Sequence, residues 1–284
     1  MIWQTTRFHI DLAQPKVMGI VNATPDSFSD GGQYANTSAA LAHCEQLLRD
    51  GAHILDIGAE STRPGARPLS ADQELARLLP VLRAAVTLGV PISVDTYKPQ
   101  VMQAALDMGV DIVNDIWALR WTDPAYPLSG PAVVAQHPSC GVCLMHMHRE
   151  PQTMQTETMQ GDVVQQVLSF LERSAQSLCA LGIEKSRIVL DPGVGFGKTV
   201  AQNFALLARQ AVFLDLGYPL LVGWSRKSSL AGMAIGPEVL AAQQRLVPSV
   251  AAALLAVERG ARIVRVHDVR ETAQALKVWS AAQP

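Results

Sequence analysis

The stretch VMGIVN (17–22) decides the fold. It is a short apolar run that ends on a polar side chain. Seven more runs of this kind follow: HILDIG (53–58), PISVDT (91–96), DIVNDI (111–116), VCLMHM (142–147), RIVLDP (187–192), LLVGWSRK (220–227) and RIVRVH (262–267). A continuous apolar, β-branched run is what a parallel strand buried on both faces looks like. Eight of them, each followed by helical sequence, spell an α/β fold, a single (β/α)8 TIM barrel. In that fold chemistry sits at the carboxyl ends of the strands. Asn22, Asp56, Asp95, Asn114, His146, Asp191, Lys227, Arg265 and His267 are therefore the candidates.

Length and composition agree. The chain has 284 residues, 49% of them hydrophobic, and one barrel of about 250 residues plus a short extension accounts for it. No linker or low-complexity tract divides the chain, so residues 1–284 read as one domain, with the barrel from about 15 to 282. The net charge of −2 provides no basic field for nucleic acid or an anionic membrane surface. The start, MIWQTTRFHIDL (1–12), does not read as a signal peptide, and no run approaches the roughly 18 apolar residues of a membrane span. Cys140 and Cys143 form a C-x-x-C without a second pair or a following helix, so the spacing reads as coincidence. A reducing cytoplasm fits the four cysteines.

Between the strands, 37–52, 70–89, 99–109, 161–182, 201–217, 249–260 and 271–282 have helical spacing. Thr37 or Ser38 and Ser70 stand where N-caps belong, and Gly51, Gly89 and Gly109 where helices end. The stretch 121–141 carries four prolines and predicts a long irregular loop with little more helix than PAVVAQH. ATPDSFSDGGQYAN (23–36) and AESTRPGARPL (59–69) are too long for turns. As βα loops 1 and 2 on the active face they predict lids.

The strand ends suggest specific chemistry. GVGFGKT (193–199) is not a P-loop, because position 192 is Pro where Gly is needed; its glycines allow a tight excursion presenting Phe196. Alternation puts Arg265 and His267 on one side of the last strand. An inward Arg is costly unless it meets an anion, and barrels often bind phosphate near strands 7 and 8. The alternative is that Arg265 pairs with a barrel carboxylate. Asn22, Ser61 and Thr62 are placed to complete an anion shell, and Asn22 can offer a carbonyl oxygen to Mg2+. Asp95, Asp191 and Asn114 in one cavity suit a flat heterocycle with adjacent N–H donors; Asp191 alone, before Pro192, also suits a turn cap. Lys227 fits either a Schiff base or a donor to a ring carbonyl, with Arg226 and Arg265 disfavouring its charge. Ser228 and Ser229, at an expected helix start, suit a carboxylate or a plain N-cap. HMH (146–148) has metal-ligand spacing, but strand 1 ends in Asn22 rather than in the histidines a metal-dependent hydrolase barrel would place there.

The motifs VMGIVNATPDSFSDGG (17–32), DIGAESTRPGA (56–66), SVDTYKP (93–99), VNDI (113–116), LMHM (144–147), LDPGVGFGK (190–198), GWSRKS (223–228) and RVHDV (265–269) resemble, in order, those of the dihydropteroate synthase family. The likeness runs from about residue 17 to the C-terminus. It implies an enzyme of folate biosynthesis that joins (7,8-dihydropterin-6-yl)methyl diphosphate to 4-aminobenzoate and releases diphosphate. It implies a pterin pocket of Asp95, Asn114, Asp191 and Lys227. The diphosphate site becomes Asn22, Thr62, Arg265 and His267, with Mg2+ on Asn22. The aminobenzoate site falls on Thr62, Pro64, Phe196 and Ser228, with Arg63, Met145 and Gly223 completing the substrate contacts. Lys227, Arg265 and His267 are implied to be catalytic. The resemblance also implies a homodimer through helices near the C-terminus, for which 251–260 and 273–281 are apolar enough, and sulfonamides as competitors of 4-aminobenzoate. The chain departs from the family in a longer Pro-rich stretch (121–138) and in Val-Pro at 247–248. Two rivals share the pocket: a pterin-dependent methyltransferase, which has no use for SRKS and RVH, and a silent pterin binder, which has no use for the full polar set.

Overall fold

The computed structural model describes residues 1–23, 32–61, 67–150, 153–154 and 156–283, with residues 32–36 in backbone only. The first two strands, β1 (Ile2–Gln4) and β2 (His9–Asp11), pair antiparallel with Trp3 opposite Ile10. Eight parallel strands follow: β3 (Lys16–Asn22), β4 (Ile54–Gly58), β5 (Ile92–Asp95), β6 (Ile112–Asp115), β7 (Gly141–Met145), β8 (Ile188–Asp191), β9 (Leu221–Val222) and β10 (Ile263–Val266). They pair in the order β8-β7-β6-β5-β4-β3-β10-β9. The ring closes where Leu190 bridges Leu220 in parallel sense and its N–H donates to Pro219 O at 3.0 Å. The expected barrel is there, strand for strand.

Its outer layer comprises α1 (Gly32–Arg49), α2 (Ala71–Ala85), α3 (Pro99–Asp107), α4 (Gly130–Gln136), α5 (Val163–Ala180), α6 (Val200–Ala208), α7 (Leu246–Glu258) and α8 (Val269–Ala281). Outward strand residues such as Val17, Leu55, Val113 and Leu190 bury against these helices in one continuous core. Ser70 caps α2 as its sequence implies: its hydroxyl accepts from Gln73 N, and the Gln73 side chain returns the bond to Ser70 N. Gly51, Gly89 and Gly109 all take positive φ, the conformation that lets the chain turn back into a strand.

Three local expectations fail. Helix α1 starts at Gly32, so Thr37 and Ser38 lie inside it and not at its start. The helix expected over 201–217 stops at Ala208 and continues as a 3-10 turn, Gln210–Leu216. Gln210 is drawn inward there: its amide donates to Ala256 O at 2.7 Å and Arg259 O at 3.2 Å, satisfying the end of α7. Ser228–Leu230 forms only a 3-10 turn, with the Ser229 hydroxyl accepting from Asn203 Nδ2 at 2.9 Å. Cys140 and Cys143 are buried free thiols.

The N-terminal hairpin, read from sequence as a mere extension, closes the bottom of the barrel. Trp3 is fully buried among Met18, Ile54, Cys143, Val189, Leu221 and Ile263, and its indole N–H donates to Arg187 O at 2.9 Å. These interior residues form an apolar floor. Strand side chains alternate, so two residues further along the same inward face carries Ile20, Asp56, Asn114, Met145, Asp191, Gly223 and Arg265. The pleat thereby stacks a polar layer on an apolar plug, at the carboxyl end of the strands.

Candidate active site

Arg265 organises that polar layer. Its Nε donates to Asp56 Oδ2 at 2.5 Å and its Nη2 to Asp95 Oδ2 at 2.5 Å. The same Asp56 oxygen accepts from Asn114 Nδ2 at 3.1 Å. Arg265 thus pairs with two barrel carboxylates. Burial works against the guanidinium charge, but Asp56 and Asp95 outweigh it and hold Arg265 charged. Burial pushes Asp95 up to about 7, with Arg265 opposing and Asp56 adding to the rise. Asp56 appears among the strand ends but has no place in the family mapping. It is 0% exposed, and its Oδ1 has no partner among the described residues. The sequence signal was its position, two residues after an inward Ile54.

Asp191 and Lys227 face this group. Asp191 Oδ1 accepts from Gly193 N at 2.7 Å, which leaves Oδ2 for a ligand. Burial raises its pKa, while the Gly193 N–H and the Lys227 charge oppose the rise. Burial and then Arg265 lower Lys227 to about 8, with Asp191 and Asp95 opposing. Arg226 plays no part, since it turns to Asp268 at 2.5 Å. The Lys227 ammonium lies 4.2 Å over the Phe196 ring.

The loop after β8 is shaped by close approaches. A Cβ at Gly193 (φ +69) would stand 1.9 Å from His146 O, and one at Gly197 (φ +73) 2.6 Å from His148 Cβ. Lys198, which the sequence reading passed over, holds this loop from behind. Its Nζ contacts Gly193 O (2.8 Å), Phe196 O (3.1 Å) and His146 Nδ1 (2.9 Å). The signal was there: a lone cation closing a glycine-rich turn has carbonyls to satisfy. His146 faces away from the barrel, with its ring edge-on to Phe170 at 4.9 Å. Burial and Lys198 depress it to about 2, and its outward orientation puts this strand-end candidate outside the polar layer.

At the end of β10, His267 N donates to Ser225 Oγ at 3.1 Å, and the same hydroxyl lies 2.9 Å from His267 Nδ1. With the hydroxyl donating to Nδ1, Nε2 carries the N–H and is a donor; with Nδ1 donating, Nε2 is an acceptor. Burial and Arg265 push His267 down to about 3, so it contributes a hydrogen bond and no charge. Asn22 stands exposed at the end of β3, Gly223 follows β9, and Ser228 is exposed beside Lys227. Met145 and Phe196 belong to a buried rim cluster with Tyr97, Ile116, Met147 and Met154. Thr62, Arg63 and Pro64 lie outside the described residues, as do 24–31 of βα loop 1.

The barrel thus offers buried acceptors and an amide for a flat N–H-bearing ring, a lysine beside them, and cationic and neutral donors toward the mouth. A family model described as pterin binding enzyme matches residues 18–267. A dihydropteroate synthase of Neisseria meningitidis serogroup B is 50% identical over 99% of this chain and 97% of its own length. The structure of a Burkholderia cenocepacia dihydropteroate synthase complexed with 7,8-dihydropteroate superposes with TM-score 0.84 at 46% identity, over 99% of this chain and 95% of that one. A Xanthomonas albilineans dihydropteroate synthase with 4-aminobenzoic acid gives TM-score 0.87 at 44% identity, over 97% and 96%.

Proposed function

The chain belongs to the pterin-binding enzyme family, and from that premise we infer that it works as a dihydropteroate synthase. It condenses (7,8-dihydropterin-6-yl)methyl diphosphate with 4-aminobenzoate to give 7,8-dihydropteroate and diphosphate. The observation that carries this reading is the polar layer inside the barrel: Asp95, Asn114 and Asp191 converge with Lys227 and Arg265 at the carboxyl ends of the strands.

On this reading each side chain has a role. Asp191 Oδ2 and Asn114 take the ring N–H groups, and Lys227 donates to the ring carbonyl. Met145 and Phe196 flank the ring. The methylene–oxygen bond breaks with its electron pair leaving on diphosphate. Arg265 and the Nε2–H of His267 meet the charge that grows there. The carboxylates around the pterin favour the cation left on the methylene, which the ring delocalises. The neutral arylamine then donates its lone pair to that carbon and sheds one proton. Gly223 leaves the floor of the pocket open, and Ser228 faces the aminobenzoate carboxylate. Thr62, Arg63 and Pro64 complete that second subsite from βα loop 2, so 4-aminobenzoate binds well only after the pterin diphosphate.

Asn22 offers one exposed amide oxygen at the mouth. That donor set fits Mg2+ held mainly by diphosphate oxygens and water, not by a protein cage. When bound, Mg2+ supplies further charge neutralisation at the leaving group. EDTA is expected to abolish turnover and added Mg2+ to restore it. Exposed Val247, Leu255 and Val278 on α7 and α8 support a homodimer through that face, which sedimentation tests. No helix among the described residues is long and apolar enough to cross a membrane, and the free thiols fit a cytoplasmic enzyme without nucleic-acid or membrane partners. Purified chain given both substrates and Mg2+ is expected to release one diphosphate per dihydropteroate formed. Methyl transfer from a methyl-folate to a corrinoid, without that product, would favour the methyltransferase reading.

A further inference from the structure

The loop after β4 starts and ends on one carboxylate. Glu60 Oε2 accepts from Lys98 Nζ at 2.5 Å and from Leu69 N at 3.0 Å, and its Oε1 accepts from Tyr97 OH at 2.9 Å. Glu60 therefore ties the outgoing stem of the loop to its returning stem, nine residues on. Lys98 also holds Glu74 Oε2 at 2.6 Å, which pins the first turns of α2, the helix the loop runs into. The lysine and Glu74 side chains are 4% and 1% exposed. Tyr97 carries the connection onward. Its ring meets Trp121 edge-on at 5.2 Å and packs in the rim cluster that contains Met145 and Phe196.

A stability role explains this poorly. Burying two carboxylates with one ammonium costs desolvation that the pairing roughly repays, and apolar replacements of such groups are often neutral or better. What the arrangement does provide is fixed geometry: one hydroxyl and one carboxylate lock the described stems of the loop to the wall that faces the pterin.

We propose that Glu60 and Tyr97 are positioning residues for the second substrate, setting the base of the loop that carries Thr62, Arg63 and Pro64 against the pterin-side wall. The proposal rests on the functional reading above. With the pterin cation formed and the loop misplaced, water adds its oxygen to the methylene, loses a proton and yields the pterin alcohol in place of dihydropteroate.

The test uses Tyr97→Phe, which removes one hydroxyl and keeps the ring, and Glu60→Gln. Kinetics with each substrate varied are combined with pterin affinity by calorimetry, thermal midpoints, and the ratio of pterin alcohol to dihydropteroate. Tyr97→Phe is expected to raise KM for 4-aminobenzoate about three- to tenfold, the value of one hydrogen bond, and Glu60→Gln to raise it more. Pterin affinity should stay within about twofold by the same reasoning, and the alcohol fraction should rise. An unchanged aminobenzoate KM in Tyr97→Phe overturns the proposal. So does an equal loss for both substrates with a lowered thermal midpoint, which marks a structural role. If Glu60→Gln does not fold, Tyr97→Phe decides alone. Wild-type protein that makes no dihydropteroate refutes the functional reading instead.

Discussion

Asp191→Asn changes a single atom at the centre of the pterin pocket. The carboxylate is 6% exposed. Its Oδ1 is committed to the Gly193 N–H at 2.7 Å, and only Oδ2 is left for the ring. An amide brings one acceptor and one donor group. If its oxygen stays on Gly193, the NH2 meets the ring N–H; if the oxygen turns to the ring, the NH2 meets the Gly193 N–H. In both orientations two donors face each other. Losing an ionised acceptor costs about 1.5–3 kcal/mol, and a stranded buried donor about 1–3 more. Relaxation of the Gly193 loop recovers part, leaving about 2–4 kcal/mol, or roughly 30- to 1000-fold in Kd. Calorimetry with the pterin alcohol reads this directly, and a thermal midpoint confirms that the variant is folded. Wild-type affinity in folded Asp191→Asn would refute the assignment of Oδ2 to the ring.

Arg265→Ala should weaken the pterin diphosphate far more than the pterin alcohol, by about a hundredfold for loss of a desolvated charge on the anion; equal losses in a binding assay would make Arg265 a partner of Asp56 and Asp95 only. Lys227, lowered to about 8, loses its charge as pH rises through that value, so kcat/KM for the pterin diphosphate should fall on an alkaline limb that Lys227→Met lacks; a limb retained in the variant would reassign it. Between about 8 and the ordinary lysine value near 10.4, the unfolded chain binds the proton that the folded chain has lost, so this group makes stability rise with pH there, as denaturant titrations can check. Trp3→Ala should cost about 3–5 kcal/mol in urea unfolding with KM values unchanged, because the plug touches the barrel floor and not the polar layer; altered KM values would contradict that separation. Sulfonamides, with an arylamine and a para acidic group, should raise the apparent KM for 4-aminobenzoate without lowering kcat, and a purely noncompetitive pattern would displace Ser228 from that site.

Most of this site is legible in the sequence because a barrel converts strand position into location. Asp95, Asn114, Asp191, Arg265 and His267 each end an apolar run, and the barrel brings those ends to one side. The same rule overreached at His146, where a shift of one residue turns a side chain outward: Met145 faces in, and His146 packs on Phe170. It could not pair Arg265 with Asp56 and Asp95, since register between strands is not written in any one run. Lys198 and Glu60 escaped for a different reason. They act on backbone carbonyls, an amide and other side chains, and those partners converge only in three dimensions. The N-terminal hairpin was missed because three-residue strands leave too little alternation to read. Thr37 and Ser38 show the usual uncertainty of helix ends, where tertiary context overrules a good cap.

The proposed function requires a pterin ring to lie on the polar layer above the apolar plug. A crystal structure of the chain with 7,8-dihydropteroate shows whether it does. The ring should lie between Met145 and Phe196, with its N–H groups on Asp191 Oδ2 and Asn114 and its carbonyl on Lys227. The aminobenzoate end should lie beside Ser228. A ring bound elsewhere, such as the outer cavity between His146, Phe170 and Arg173, with Asp191 left free, would contradict it.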